Sequence, residues 1–202
     1  MDIHEFLAHL NRGEAVEGGS EMYRMMHKVS QEALKLTAEL NGDYHTPEEI
    51  NVDFNYSSCI VEYGPGTGVF TERILKKRKK NTMVFLFETN KNFYNLIKEK
   101  YRDEPNFYII NNSAEYIGKY LKKYGICKAD YIVSGLPFAS LPNNISSNIL
   151  TETEKYLNKH GKFITFQYTL LKKNFIEKYF NEIHIKRELR NVPPAYVLCC
   201  TN

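Results

Sequence analysis

From Ser57 onward, apolar runs of strand length alternate with segments whose apolar positions recur at helical spacing. The runs are Cys59-Ile60-Val61 within a strand expected over 58–63, Met83-Val84-Phe85-Leu86-Phe87, Phe107-Tyr108-Ile109-Ile110, Tyr131-Ile132-Val133 and Lys162-Phe163-Ile164-Thr165-Phe166. Between and after them the spacing predicts helices over 67–80, 90–101, 113–124 and 143–158. Nearly continuous apolar strands separated by helices read as a parallel sheet covered on both faces. After a helix predicted over 172–180, segments 182–190 and 195–200 follow with no helix between them, so they are expected to pair as an antiparallel hairpin. The predicted fold is α/β: a doubly wound, mostly parallel seven-stranded sheet ending in that hairpin.

Upstream, Met22, Met25, Met26, Val29, Ala33, Leu36 and Leu40 mark one amphipathic helix over 20–41, with Asn41-Gly42 as its C-cap. A polar connector over 43–56 follows, in which Thr46-Pro47-Glu48-Glu49 signals a short helical turn. The chain thus divides into an N-terminal helical leader, 1–56, and a sheet domain, 57–202. The Met-rich stripe reads as core packing or as a surface that folds over the domain as a lid.

Charge sharpens this division. The leader holds 4 Lys/Arg and 11 Asp/Glu, net −7, and the remainder 23 and 13, net +10. A basic body attracts nucleic acid or anionic lipid and is equally an ordinary solvated surface. Lys76-Lys77-Arg78-Lys79-Lys80 closes a predicted helix, where cations meet the negative end of the dipole. No apolar run approaches the roughly 18 residues of a membrane span, and the N-terminus lacks an export signal. The expected location is the cytoplasm, with peripheral membrane contact left open. Cys59, Cys127, Cys199 and Cys200 lack CxxC spacing and lie in or beside strands, so they read as buried reduced thiols, with no metal site.

The first strand runs into Glu62-Tyr63-Gly64-Pro65-Gly66-Thr67-Gly68 just before a helix. Such a turn lets backbone approach a ligand at the carboxyl end of a sheet. Val69 stands where a dinucleotide fingerprint would place its third glycine. The E-x-G-x-G-x-G spacing resembles instead the first motif of class I methyltransferases, which use S-adenosyl-L-methionine on a Rossmann-like sheet. The resemblance implies that the turn passes the amino-acid and ribose portions of the cofactor, with Glu62 orienting the amino-acid end. Glu88, followed by Thr89, ends the second strand twenty positions beyond Gly68, where a carboxylate accepts hydrogen bonds from both ribose hydroxyls. After the third strand, Ser113 stands before Ala114 where the family often has an acidic residue against the adenine.

The fourth strand ends in Ser134-Gly135-Leu136-Pro137-Phe138, a loop expected over the transferred methyl group. Enzymes that methylate base amines, including rRNA adenine dimethylases, carry N-L-P-Y or a related form there, with the Asn side chain on the amine. Gly135 offers no such group. Three stretches are similar to the bacterial phospholipid N-methyltransferases: 61–71, Ser134 to Pro137 with Leu141-Pro142, and Phe166-Gln167-Tyr168 with 191–195. Lipid-modifying members tend to begin with a basic amphipathic helix, whereas this leader is acidic. Expected partners are accordingly a lipid or small-molecule amine, with nucleic acid as the alternative, and a non-catalytic binding module as the third reading. Tyr168, ending the fifth strand, is the candidate for orienting the acceptor.

Overall fold

The computed structural model describes residues 54–188 and 195–202, with Glu21 and Arg24. The leader helix expected over 20–41 and the turn at 46–49 lie outside the described residues apart from Glu21 and Arg24, both helical and exposed. Strands β1 (Cys59–Tyr63), β2 (Met83–Phe87), β3 (Phe107–Ile110), β4 (Ala129–Ser134) and β5 (Leu157–Gln167) run parallel. β6 (Glu182–Glu188) and β7 (Ala195–Thr201) form the antiparallel hairpin, joined to β5 through β7. The order β3-β2-β1-β4-β5-β7-β6 reverses direction between β1 and β4. At such a switch point a crevice opens beyond the strands' carboxyl ends.

Side chains alternate across each strand, and the core divides accordingly. Cys59, Val61, Tyr63, Phe85 and Phe87 face helices α3 (Ile117–Lys123) and α4 (Asn143–Tyr156). Ile60, Val84 and Leu86 face α1 (Val69–Lys77) and α2 (Lys91–Lys100), which contribute Ile74 and Ile97. Asn90 caps α2, its side chain accepting from the backbone N–H of Asn92 and Phe93. Phe54, in the segment read as leader, is buried in the body, edge-on to Tyr131 with ring centroids 5.0 Å apart.

Several boundaries differ from the sequence expectation. The segment 113–124 is a 3-10 turn at Ala114–Tyr116 followed by α3, with Ser113 accepting from Glu115 N–H as its cap. α4 stops at Tyr156 and β5 starts at once, because Leu157 turns extended and pairs with Ala129. The helix expected over 172–180 is a single turn, α5 (Lys173–Ile176). Arg78 leaves the lysine run for the interior: its side chain is fully buried and bonds Glu104 (2.8 Å) and the carbonyls of Thr82 and Pro105. Cys59, Cys199 and Cys200 are buried free thiols, and burial, with Asp130 nearby, pushes Cys59 up to about 12. Cys127 is exposed, since it sits in the turn ahead of β4 rather than in a strand. Among the described residues no helix is long and apolar enough to cross a membrane.

Candidate active site

The glycine turn after β1 is held by backbone on both sides. Gly64 N–H donates to Phe87 C=O (2.9 Å), Gly135 N–H donates to Tyr63 C=O (2.9 Å), and Gly68 N–H donates to Pro65 C=O (2.9 Å). Gly64 has φ +63°, and a Cβ there would meet Leu136 at 2.9 Å. Gly68 has φ +89° and would push its Cβ to 2.6 Å from Ile97. Beyond this turn lies a cavity of about 360 Å³, within the ~300–1,000 Å³ typical of cofactor clefts.

Of the residues singled out from sequence, Gly64, Pro65, Gly66, Thr67, Glu88, Thr89, Ser113, Ala114, Gly135, Leu136 and Tyr168 line this cavity. Glu62, Tyr63, Gly68 and Ser134 support its wall from behind. The Tyr63 ring packs inward, its hydroxyl 3.2 Å from Thr153 Oγ1. Ser134 Oγ accepts from Leu136 N–H (3.2 Å) and fixes the start of the β4 loop.

Glu88 is nearly buried at the end of β2. Its carboxylate accepts from Gly66 N–H (3.3 Å) and Asn90 N–H (2.8 Å), so it is tied to both the turn and the N-terminus of α2. Glu62 is wholly buried and accepts from the Thr71 hydroxyl (2.7 Å), while its other oxygen has no partner. Burial pushes its carboxyl up to about 8 against the Thr71 hydrogen bond, and the Glu88 charge adds to the rise. An unpaired buried carboxyl oxygen behind a glycine turn fits a cationic, hydrogen-bond-donating ligand end. Ser113 directs its hydroxyl proton to Glu115 Oε2 (2.9 Å) and accepts from Glu115 N–H (3.3 Å), leaving one oxygen lone pair.

The β4 loop shows why glycine stands at 135. A Cβ there would lie 2.9 Å from the Gly64 carbonyl oxygen, so any side chain would displace the glycine turn itself. Gln167, a lining residue outside the sequence-based set, clamps this loop by donating to Leu136 C=O (2.9 Å) and Thr165 Oγ1 (2.8 Å). Phe70 and Phe166, also missed, stack at 4.3 Å between α1 and β5 along the cavity. Nothing in the helical spacing of 69–77 separates Phe70 from an ordinary core position. Pro137, Leu141, Ile145, Ile149 and Ala195 make the far side apolar. No cluster able to hold a metal occurs among the described residues.

The same sheet is found in an rRNA methylase from Streptococcus thermophilus (15% identical, 79% of this chain and 98% of that one, TM-score 0.59). It is found also in a fibrillarin pre-rRNA processing protein from Methanococcus jannaschii (12%, 74% and 69%, TM-score 0.58). Strand order and glycine cleft together define a class I methyltransferase dependent on S-adenosylmethionine. Within that class the chain belongs to the ribosomal RNA adenine dimethylase family, matched over residues 47–190. Its curated relatives include an ornithine lipid N-methyltransferase from Singulisphaera acidiphila, 28% identical over 152 residues, covering 74% of this chain and 79% of that protein. Another is ribosomal RNA small subunit methyltransferase A from Persephonella marina, 31% identical over 107 residues, covering 53% of this chain and 37% of that protein.

Proposed function

We propose that this methyltransferase N-methylates an amine on a lipid head group or a small molecule. The observation that carries the reading is Gly135. Base-methylating relatives resemble this chain but hold the amine with an Asn side chain at this place, and here the Gly64 carbonyl leaves no room for one. The apolar far wall suits an acceptor that brings hydrocarbon with it. The ornithine lipid N-methyltransferase match, which spans most of both chains, supports the same direction.

When bound, S-adenosylmethionine supplies an already activated methyl group, so the chain's own residues have to bind, orient and exclude water. In this reading Glu88 accepts the ribose hydroxyls, the turn from Gly64 to Gly68 accommodates the amino-acid end, and buried Glu62 offers its unpaired oxygen as a hydrogen-bond acceptor behind it. Ser113 and Ala114 face the adenine. The Gln167 clamp on Leu136 fixes the loop above the reacting centre, and Tyr168 orients the acceptor. An ammonium has no lone pair, and a dry site beside a cation favours the neutral amine that can react.

Adenine N-methylation of rRNA is the second reading, favoured by the family match and the basic body. The deciding assay offers labelled cofactor with vesicles containing phosphatidylethanolamine and an ornithine lipid, with small amines, and with unmodified rRNA. Label is expected in the lipid or small-amine fraction. Label confined to rRNA adenine would overturn the proposal.

A further inference from the structure

Beyond the end of β5 the chain exposes an apolar tip that neither the core nor the cavity uses. Leu171 is 84% exposed and Leu170 37%. They follow directly on Tyr168 and Thr169, both of which line the cavity. The tip is built rather than loose: the Thr169 hydroxyl accepts from Leu171 N–H (3.2 Å), and Lys173 N–H donates to Leu170 C=O (2.9 Å). Lys172 and Lys173 follow it, Lys172 reaching Asn143 and lying over the Phe175 ring at 5.0 Å, and Lys173 pairing with Glu177. Lys178 is exposed just beyond α5.

Exposing two adjacent leucines to water is unfavourable, and a fixed turn prevents them from folding inward. Leucine side chains beside lysines match the two layers of an anionic bilayer surface, hydrocarbon beneath and phosphate above. The body that carries the tip has a net charge of +10, from 23 Lys/Arg and 13 Asp/Glu over residues 57–202. We infer that Leu170 and Leu171 insert into an anionic phospholipid bilayer, with Lys172 and Lys178 at the phosphate level, setting the cavity mouth against the membrane. This rests on the lipid-amine reading for its purpose, since a headgroup amine entering beside Tyr168 would keep its acyl chains in the bilayer under the leucines.

The chain contains no tryptophan, so a Leu171→Trp variant carries a single reporter at the tip. With vesicles of phosphatidylglycerol and phosphatidylethanolamine its emission should shift to the blue and be quenched by brominated acyl chains. Emission unmoved by vesicles would overturn the inference, as would a blue shift produced by protein concentration alone, which would mark a contact between copies. A Leu170→Ser/Leu171→Ser variant should partition onto the vesicles about tenfold more weakly. Its methyl transfer to vesicle amine should fall in step, while transfer to a short-chain, monomeric phosphatidylethanolamine stays unchanged. Insertion without transfer to either lipid form would sink the acceptor reading and leave the docking tip standing. Transfer to both forms without insertion would do the reverse.

Discussion

Two glutamates of the site sit in opposite electrostatic situations. Glu88 receives backbone N–H groups from Gly66 and Asn90 and stands at the cavity wall, poised to accept further hydrogen bonds. Replacing it with Ala should remove charge-assisted bonds worth about 1.5–3 kcal/mol, roughly ten- to a hundredfold in cofactor affinity. Calorimetric titration of the folded Glu88→Ala variant with S-adenosylmethionine checks this, and unchanged affinity would remove Glu88 from the ribose role. Glu62, by contrast, is held neutral by burial, its carboxyl raised from 4.5 to about 8. Below about pH 4.5 it is protonated whether the chain is folded or not. Between there and about pH 8 only the unfolded chain releases the proton, so this contribution to stability declines as pH rises and levels off above pH 8. A Glu62→Gln variant, which never ionises, should lose that part of the decline. Urea denaturation of the unliganded protein at pH 5.5 and pH 8 should show the variant gaining relative to wild type at the higher pH.

At the level of elements, the basic run after α1 is more than a solvated helix end. Arg78 fastens the end of α1 to the start of β2 and to the loop before β3 through Thr82, Glu104 and Pro105. Truncating a buried partner of an ion pair leaves charge and carbonyls unsatisfied and costs about 3–5 kcal/mol. Arg78→Ala should therefore destabilise by about 3 kcal/mol, whereas the Ala variant of exposed Lys79 should change stability by less than about 0.5 kcal/mol. Denaturant midpoints of the two variants test the contrast. Arg78 also shows the limit of reading elements from sequence. Apolar periodicity located the five parallel strands and the helices between them, because a strand in the middle of a covered sheet buries both faces and each helix one, and the hairpin followed from the lack of a helix between its two segments. It could not tell which cation of five turns inward, since that depends on carbonyls brought in from residues 82 and 105. Similarly, the E-x-G-x-G-x-G spacing and Glu88 marked the cleft through local chain geometry. Phe70 and Gln167 joined it only through the crossing of α1 and β5 and the docking of the β4 loop.

Over the whole molecule, the described architecture places every cavity-lining residue at the carboxyl ends of β1 to β5, in the segments that follow them, or at the β7 start. The Arg78 anchor sits at the opposite ends of the strands. The sheet order has another effect, which concerns assembly. β7 lies between β5 and β6 although it follows β6 in the chain. During synthesis β6 leaves the ribosome before its partner is made, because its sole neighbour among the described strands is β7. Until β7 docks, β5 keeps a bare edge that includes buried Phe163 and Ile164, and the growing chain offers two unpaired strands at once. The nascent protein is therefore most exposed to misassociation late, after the glycine turn and the first five strands are already available, and a strand pair that closes in one step ends that interval.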